Sequence, residues 1–455
     1  MIMRARGRGQ LALAGSLGVA LLLTGCGANE TSGGGNAQGS DEALDCAPYE
    51  EFGDLKGETV SVYTSIVDPE DQPQIDSYKP FEKCTGVKVN YEGSREFEAQ
   101  LVVRVQSNNA PDIAFVPQPG LLANLVATGK VSPAPQQVAD NVDEFWDESW
   151  KGYGTVDGTF YAAPLGANAK SFVWYSPKAF TDAGYEVPKT WDEMIKLSDT
   201  IVEDGGKPWC AGIGSGEATG WPATDWLEDV VLRTAGPDVY DQWVAHEIPF
   251  NDPQIVEALD TVGQILKNPD YVNGGLGEVQ SIASTEFGDA GLPILDGTCF
   301  MHRQASFYQA NWPEGTEVAE NGDVFAFPLP PIEGDAAPVL GGGEFTTAFN
   351  DKPATQAFQT YLSSPEWANI KADVSGPGWV SANTGLDPKK LASPIDQLAA
   401  ELFQDPNAVF RFDGSDLMPG EVGAGAEWTE LTNWIANDKP TEQVLADIEK
   451  AWPAS

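Results

Sequence analysis

Short apolar runs alternate with segments of helical periodicity along the chain. The runs at 59–64, 87–91 and 113–116 are rich in β-branched and apolar residues, which predicts strands. Between them, apolar residues recur at helical spacing in 95–106, and a shorter helix is predicted at 120–127. Strands that alternate with helices in this way predict an α/β fold with parallel neighbours in the sheet.

The same pattern restarts after Gly158 and predicts a second lobe. Strands are expected at 172–175, 209–213 and 299–302, and Thr190 opens a helix as the first residue of a capping box. A further strand is predicted at 324–327, and further helices at 253–267, 353–362, 395–403, 424–435 and 441–452.

The stretch 214–226 is the most distinctive of the chain, because it leaves two tryptophans and two carboxylates among glycines and small residues. Sugar rings offer C–H faces that stack on an indole, and hydroxyls that pair with carboxylates or amides. Trp221 and Asp225 fit that need, so the stretch predicts the floor of a sugar site. The alternative is a glycine-rich loop that feeds a helix near Asp225, with Trp221 and Trp226 in the core.

Polar side chains follow the predicted strands at the points where ligands gather in α/β sheets. Ser65 follows the first strand, Arg95 the second, and Gln118 the third. A later glycine run, 341–343, returns towards the same place and is followed by Glu344 and Phe345. Its glycines let backbone amides approach a ligand, or simply permit a turn.

The amino terminus reads as an export signal. Three arginines precede an apolar run at 11–23, which is too short to span a bilayer, and 23–26 (LTGC) resembles the lipobox of bacterial lipoproteins. We therefore expect residues 1–25 to be removed and Cys26 to carry a lipid. The following segment to residue 45 has almost no apolar residue and predicts a flexible tether, which places the protein outside the cytoplasm on the cell membrane.

Composition narrows the classes of function. The chain has 455 residues, 42% hydrophobic and 21% charged, which indicates a globular protein of more than one domain. Its 68 acidic residues outnumber 26 basic ones for a formal net charge of -42, so nucleic acid is a poor partner.

Four cysteines remain after Cys26, an even number that predicts two disulfides in an exported protein. Of the three possible pairings we favour Cys46 with Cys84 and Cys210 with Cys299, because each bridge then closes within one proposed lobe. No C-x-x-C spacing occurs in the sequence, so neither a metal site nor a cofactor is expected.

Six motifs together resemble the extracellular sugar-binding proteins of ATP-binding-cassette (ABC) importers, the maltose-binding type, and within it the α-glucoside branch. These motifs lie at 91–98 (YEGSREFE), 110–115 (APDIAF), 187–193 (VPKTWDE), 218–226 (ATGWPATDW), 301–304 (MHRQ) and 416–419 (DLMP). The resemblance implies a two-lobed periplasmic-binding-protein type II fold with the ligand cleft between the lobes. It also implies three partners, namely a sugar, the permease subunits of an importer and the membrane through the lipid, and a monomeric state.

The resemblance implies lobes that are discontinuous in sequence. We expect lobe 1 at 46–167 and 323–370, and lobe 2 at 168–322 and 371–455. Residues 168–170 (NAK) depart from the maltodextrin binders, which carry an acidic residue there, so a disaccharide α-glucoside is expected rather than a long dextrin. The predicted ligand contacts are Ser65, Arg95, Gln118, Trp221, Asp225, Gln304, Gly343, Glu344, Phe345 and Trp428.

Two other classes of protein compete with a binding protein. Paired acids such as Asp413 with Asp416, or Glu217 with Asp225, would suit a secreted glycoside hydrolase, but chance pairs are common in so acidic a chain. Neither histidine lies in a nucleophile motif. A purely structural adhesion lipoprotein would not need tryptophans beside glycine-rich loops. We therefore expect a protein that binds its sugar without catalysis.

Overall fold

The computed structural model describes residues 44–332, 337–404 and 409–453. The predicted signal, the lipid-bearing Cys26 and most of the predicted tether lie outside these residues. Over the described ranges, no helix has both the length and the apolar character needed to cross a bilayer.

The strands are short and spread over the whole described chain. They are β1 (Thr59–Thr64), β2 (Lys88–Gly93), β3 (Ile113–Val116), β4 (Thr155–Val156), β5 (Thr159–Phe160), β6 (Ala162–Pro164), β7 (Asn168–Ala169), β8 (Phe172–Tyr175), β9 (Met301–Arg303), β10 (Phe325–Pro328), β11 (Val339–Gly342), β12 (Phe345–Ala348) and β13 (Phe410–Phe412).

Helices fill the segments between them. They are α1 (Asp71–Asp76), α2 (Lys79–Thr85), α3 (Phe97–Gln106), α4 (Pro119–Ala127), α5 (Gln136–Phe145), α6 (Glu148–Tyr153), α7 (Pro177–Ala183), α8 (Trp191–Glu203), α9 (Trp221–Thr234), α10 (Pro237–Val244), α11 (Pro253–Leu266), α12 (Phe287–Ala290), α13 (Pro353–Ser363), α14 (Pro365–Val374), α15 (Pro394–Gln404), α16 (Gly414–Leu417), α17 (Trp428–Ala436) and α18 (Thr441–Glu449). Single turns of 3-10 helix lie at Ala47–Phe52, Gly216–Ala218, Val279–Ala283, Leu292–Asp296, Ser306–Asn311 and Pro388–Lys390, and a π-helical turn lies at Val422–Glu427.

The five-stranded sheet has the order β2-β1-β3-β12-β6. β1 is parallel to β2 and β3, as the sequence predicts, and β12 runs antiparallel to β3 and β6. Thr64 is in register with Gly93 and Phe115, so the carboxyl ends of the three parallel strands meet at one edge of the sheet. The residues after these strands are therefore brought together.

Successive side chains of a strand point to opposite faces of a sheet, and both faces of this sheet are covered by helices. Val60 and Val62 of β1 belong to one buried apolar cluster, which includes Phe358 of α13. Tyr63 belongs to another, with Phe97 of α3. The sheet is thus a layer between helices, as expected of an α/β lobe.

A second body of structure is built on the antiparallel sheet β10-β8-β9. Its apolar cluster draws on α8, α9, α11, α17 and α18 through buried residues such as Leu227, Leu259 and Leu431. A third sheet, β13-β11-β7, joins three distant parts of the chain. The predicted α/β class is confirmed, and the boundaries proposed for the lobes stay a prediction.

Two local predictions are wrong. Residues 209–213 form no regular strand. Trp209 makes a single bridge to Met301 of β9, but the backbone N–H groups of Trp209 and Ile213 donate to Tyr271 and Ile282, which lie outside the strands. α9 begins at Trp221, not near Asp225, since Pro222 at its second position suits a first turn. Gly220 precedes it at φ +119°, where a Cβ would lie 2.6 Å from Cα of Trp428.

Two disulfides tie local segments together. Cys46 is bonded to Cys84 and Cys210 to Cys299, with Cα separations of 5.3 and 5.7 Å. These are the pairings favoured from the sequence. The first joins the turn at Ala47–Phe52 to α2, and the second joins the segment before the 214–226 stretch to the entry of β9.

Candidate functional site

A cavity of about 510 Å³ lies at the carboxyl edge of the five-stranded sheet, where segments from many parts of the chain converge. Its wall takes residues from the segments after β1 and β3, from the start of α9, from the segment after β9 and from the turn after α14. This volume lies within the range of small-molecule sites and suits a disaccharide.

Most of the predicted contacts line this cavity. They are Ser65, Arg95, Gln118, Trp221, Gly343, Glu344 and Trp428. Ser65 and Gln118 reach it because they directly follow the parallel strands β1 and β3. Gly343 reaches it at a close approach of two backbone segments, since a Cβ there would overlap the carbonyl oxygen of Gly166.

Three predicted contacts lie behind the wall rather than on it. Phe345 packs in the core, 5.9 Å from the ring of Phe412, because it alternates with Glu344 at the start of β12 and therefore faces the other way. The side chain of Gln304 accepts a hydrogen bond from the backbone N–H of Ala305 at 2.8 Å. Asp225 is fully buried on α9. A direct contact of any of the three with a ligand stays a prediction.

Asp225 belongs to a buried network of charges that reaches the cavity wall through Lys170. Its two oxygens bind Lys170 Nζ at 3.0 Å and Arg303 at 3.1 Å, and Lys170 also pairs with Asp413 and, at 4.0 Å, with Asp416. Burial lowers the pKa of Lys170, but the neighbouring carboxylates outweigh this and raise it well above its ordinary value. The lysine that departs from the maltodextrin pattern is therefore the hub of this network.

The network also bears on the acid pairs that would suit a hydrolase. Asp413 caps α16, accepting hydrogen bonds from the hydroxyl of Ser415 at 2.7 Å and from the backbone of Asp416 at 2.9 Å, besides binding Lys170. Glu217 is exposed on the 3-10 helix Gly216–Ala218, while Asp225 is buried. Neither pair presents two free carboxylates across the cavity.

Indole rings form much of the apolar wall. Trp221 is partly buried and is supported by Phe287 and Phe307, at ring distances of 5.1 and 6.0 Å. Trp379 joins it in lining the cavity, packed edge-on against Trp367 at 5.8 Å. Partly exposed indoles on a cavity wall are the surfaces on which sugar rings stack.

Trp379 is a residue that sequence reasoning missed. It follows Gly376-Pro377-Gly378, the same combination of small residues and tryptophan that drew attention to 214–226. Gly378 has φ +113°, and a Cβ there would lie 2.9 Å from the carbonyl oxygen of Phe307, so the turn requires glycine. Trp221 and Trp379 each directly follow a glycine, so this shared sequence feature points to Trp379 as well.

Polar atoms on the wall lack hydrogen-bond partners within the described residues. They are Gln74 Nε2, Gln118 Oε1, Asn168 Oδ1, Asn311 Nδ2, Trp312 Nε1 and Trp428 Nε1, all buried. Gln118 itself is held in place, because its Nε2 donates to Glu98 at 3.3 Å. Buried polar groups are almost always paired in native proteins, so six unpaired atoms on one wall indicate a ligand with several hydroxyl groups.

Charged side chains also face the cavity. Burial raises the pKa of Glu70 to about 7 and that of Glu344 above its ordinary value. Burial lowers the pKa of Lys371, which lies on the same wall, to about 8. Among the residues that the structure describes, no group of three or more His, Cys, Asp or Glu side chains is placed to hold a metal ion.

A family model described as bacterial extracellular solute-binding protein matches residues 60–369. The chain belongs to this family. It is therefore a solute-binding protein that acts outside the cytoplasm. Of the classes suggested by the sequence, it is a binding protein and not a hydrolase.

Two relatives of known binding function align with most of the chain. The chain is 40% identical over 437 residues to the α-glucosides-binding periplasmic protein AglE of Rhizobium meliloti (strain 1021), covering 91% of this chain and 92% of the relative. It is 38% identical over 405 residues to the osmoprotective compounds-binding protein GgtB of Synechocystis, covering 88% and 94%. The predicted resemblance to the α-glucoside branch is confirmed.

Solved structures share the fold. The bacterial solute receptor AcbH, described as having an exclusive preference for β-D-galactopyranose, superposes with a TM-score of 0.72 at 19% identity, covering 87% of this chain and 97% of that one. The maltose-bound MalE3 of T. maritima gives a TM-score of 0.65 at 17% identity, covering 86% and 98%. The predicted two-lobed periplasmic-binding fold is confirmed.

Proposed function

We propose that the protein is the substrate-binding lipoprotein of an ABC importer, and that it captures an α-glucoside disaccharide or short oligosaccharide and delivers it to the permease. The observation that carries this is the cavity wall, which combines partly exposed indoles with buried polar atoms that lack partners. The likeness to AglE supports the α-glucoside assignment.

Each group on the wall has a task in this proposal. Trp221 and Trp379 stack on the C–H faces of the sugar rings. Gln118 and Asn168 accept hydrogen bonds from ring hydroxyls, and the indole N–H of Trp428 donates one. Glu344 accepts further hydroxyl hydrogen bonds, with Ser65 and Gly343 completing the wall. The ligand contacts both proposed lobes, so it binds the closed form better and shifts the protein towards it.

The buried Lys170 network has a supporting task. It fixes the second turn of α9 through Asp225 and the start of α16 through Asp413. Lys170 Nζ lies 5.7 Å from the ring centroid of Trp221, so the same lysine stands beside the proposed stacking surface. A rigid floor of this kind reduces the ordering cost that binding would otherwise carry.

The direct test is calorimetric titration with maltose, trehalose, sucrose and isomaltulose, followed by chromatography of the recovered sugar. We expect at least one to bind with 1:1 stoichiometry and to be recovered intact. Osmoprotective solutes belong in the same series because of the likeness to GgtB. Absence of binding across the series would contradict the proposal, and release of monosaccharide would point to a hydrolase.

The lipid anchor is a separate part of the proposal and is supported by the lipobox-like 23–26 and the apolar run before it. Replacement of Cys26 by Ser should leave unprocessed precursor or release the protein from the membrane fraction. Mass spectrometry and membrane fractionation measure both outcomes. Unchanged mass and unchanged membrane retention would contradict the anchor without affecting the sugar-binding proposal.

A further inference from the structure

The described cavity wall has an excess of acid. Seven carboxylate residues and three cationic residues line it. The carboxylates are Asp68, Glu70, Glu98, Glu314, Glu344, Asp413 and Asp416, and the cations are Arg95, Lys170 and Lys371. The excess of carboxylates over cations does not by itself decide what charge a ligand can carry. A cation on the wall that is free of carboxylate partners could still bind an anion.

Two of the three cations of this wall, Arg95 and Lys170, are paired with carboxylates. Lys170 is held between Asp225 and Asp413. Arg95 pairs with Glu286 at 3.3 Å, at the exposed end of the cavity. Lys371 donates to the hydroxyl of Ser375 at 3.0 Å and feels the charges of two wall carboxylates. An incoming phosphate or carboxylate would have to displace a carboxylate from each of the first two.

Helix amino termini are the other common anion sites in proteins, since they present free backbone N–H groups. Three longer helices begin at this wall, and each lacks part of that donor set. α4 begins with Pro119 and α9 carries Pro222 at its second position, and proline has no N–H. In α3, the carboxylate of Glu98 accepts a hydrogen bond from its own backbone N–H.

Five of the seven wall carboxylates have no cation bound to them at salt-bridge distance within the described residues, namely Asp68, Glu70, Glu98, Glu314 and Glu344. Glu98 accepts from the amide of Gln118, and Glu344 lies beside Gly166, where a Cβ would be 3.0 Å from its Oε2. Burial raises the pKa of both carboxyl groups. An anion brought beside them must either force their protonation or remain near uncompensated negative charge, and both outcomes cost free energy.

We propose that the cavity selects neutral or ammonium-bearing glycosides and rejects glycosides that carry a phosphate or carboxylate group, with Glu98 and Glu344 setting this selectivity. The inference rests on the proposed sugar-binding function and specifies its substrate class.

The test compares each neutral disaccharide with its phosphorylated form. Trehalose and trehalose 6-phosphate, sucrose and sucrose 6-phosphate, and maltose and maltose 6′-phosphate are titrated by calorimetry into the mature protein. We expect the phosphorylated form to bind roughly a hundredfold more weakly, the size of one like-charge contact at low effective dielectric. A 6-O-acetyl derivative of the same sugar controls for bulk and should lose less than about tenfold.

Variants assign the effect to residues. Glu98→Gln and Glu344→Gln keep the shape of the wall and remove one charge each. Each should therefore reduce the ratio of the dissociation constants of phosphorylated and neutral sugar by about fivefold or more. Glu257→Gln, an exposed glutamate on α11 away from the cavity, should leave the ratio unchanged. Circular dichroism melting confirms that each variant is folded.

The outcomes separate the two proposals. A phosphorylated sugar that binds within threefold of its neutral parent overturns the selectivity while the sugar-binding function stands. A ratio that neither variant changes overturns the assignment to Glu98 and Glu344. Failure of every sugar to bind overturns the proposed function and this inference with it.

Discussion

The cavity wall and the buried charge network adjoin each other, since Lys170 belongs to both, yet their polar groups are paired to different extents. In the network, Lys170, Asp225 and Arg303 satisfy one another through ion pairs at 3.0 and 3.1 Å. On the wall, Gln118 Oε1, Asn168 Oδ1 and Trp428 Nε1 are buried without described partners. Satisfied polar groups stabilise the fold, while unsatisfied groups on a cavity wall can pair with a ligand.

The largest effect is expected from breaking the network. Lys170→Met would leave Asp225 and Asp413 buried with one cation fewer, which should cost about 3–5 kcal/mol of unfolding free energy. Urea unfolding at pH 7 measures this. Lys178→Met removes an exposed ion pair to Asp182 and serves as the control, expected to cost less than about 1 kcal/mol. If the two variants lose equal stability, the network has no special structural role.

Asp396 differs from the carboxylates of the charge network, because it is buried but hydrogen-bonded to uncharged partners. It accepts from Gln309 Nε2 at 2.7 Å and from the backbone of Gly378 at 3.1 Å, which joins two cavity-lining segments. Burial raises its pKa to about 7. A raised carboxyl pKa favours folding at low pH, so this contribution is full below about pH 4 and is lost as the pH rises to about 7.

The wild-type protein should therefore lose roughly 2–4 kcal/mol of stability relative to Asp396→Asn between pH 4 and pH 8. Denaturant titrations at several pH values measure the difference. Asp192→Asn, an exposed change in the first turn of α8, is the control and should give a flat difference. A flat difference for Asp396→Asn as well would show that its carboxyl pKa is not raised by burial.

A smaller effect should separate the wall from the core. Gln118 and Gln359 both carry a buried Oε1 without a described partner, but only Gln118 lines the cavity. Gln118→Leu should weaken sugar binding by roughly tenfold, the value of one hydrogen bond to a hydroxyl, with little change in melting temperature. Gln359→Leu should leave affinity unchanged. Equal affinities for the two variants would remove Gln118 from the site.

Local pattern was enough to predict the sheet that positions the site. The strands at 59–64 and 113–116 occur as predicted, and the residues beyond their carboxyl ends, Ser65 and Gln118, line the cavity. Trp379 escaped prediction because it lies on a turn without periodicity, which only the packing of Gly378 against Phe307 brings to the wall. Burial of Asp225 depends on Lys170 and Arg303, which are 55 and 78 residues away in sequence.

The most direct test of the central claim is to measure sugar affinity and melting temperature on Trp221→Ala. If Trp221 covers about 80 Å² of apolar sugar surface, at about 25 cal/mol per Å², the contact is worth roughly 2 kcal/mol, or about thirtyfold in dissociation constant. We therefore expect Trp221→Ala to bind the identified disaccharide about thirtyfold more weakly while melting near the wild-type temperature. Wild-type affinity with a clearly lowered melting temperature would instead make Trp221 part of the core and contradict the account.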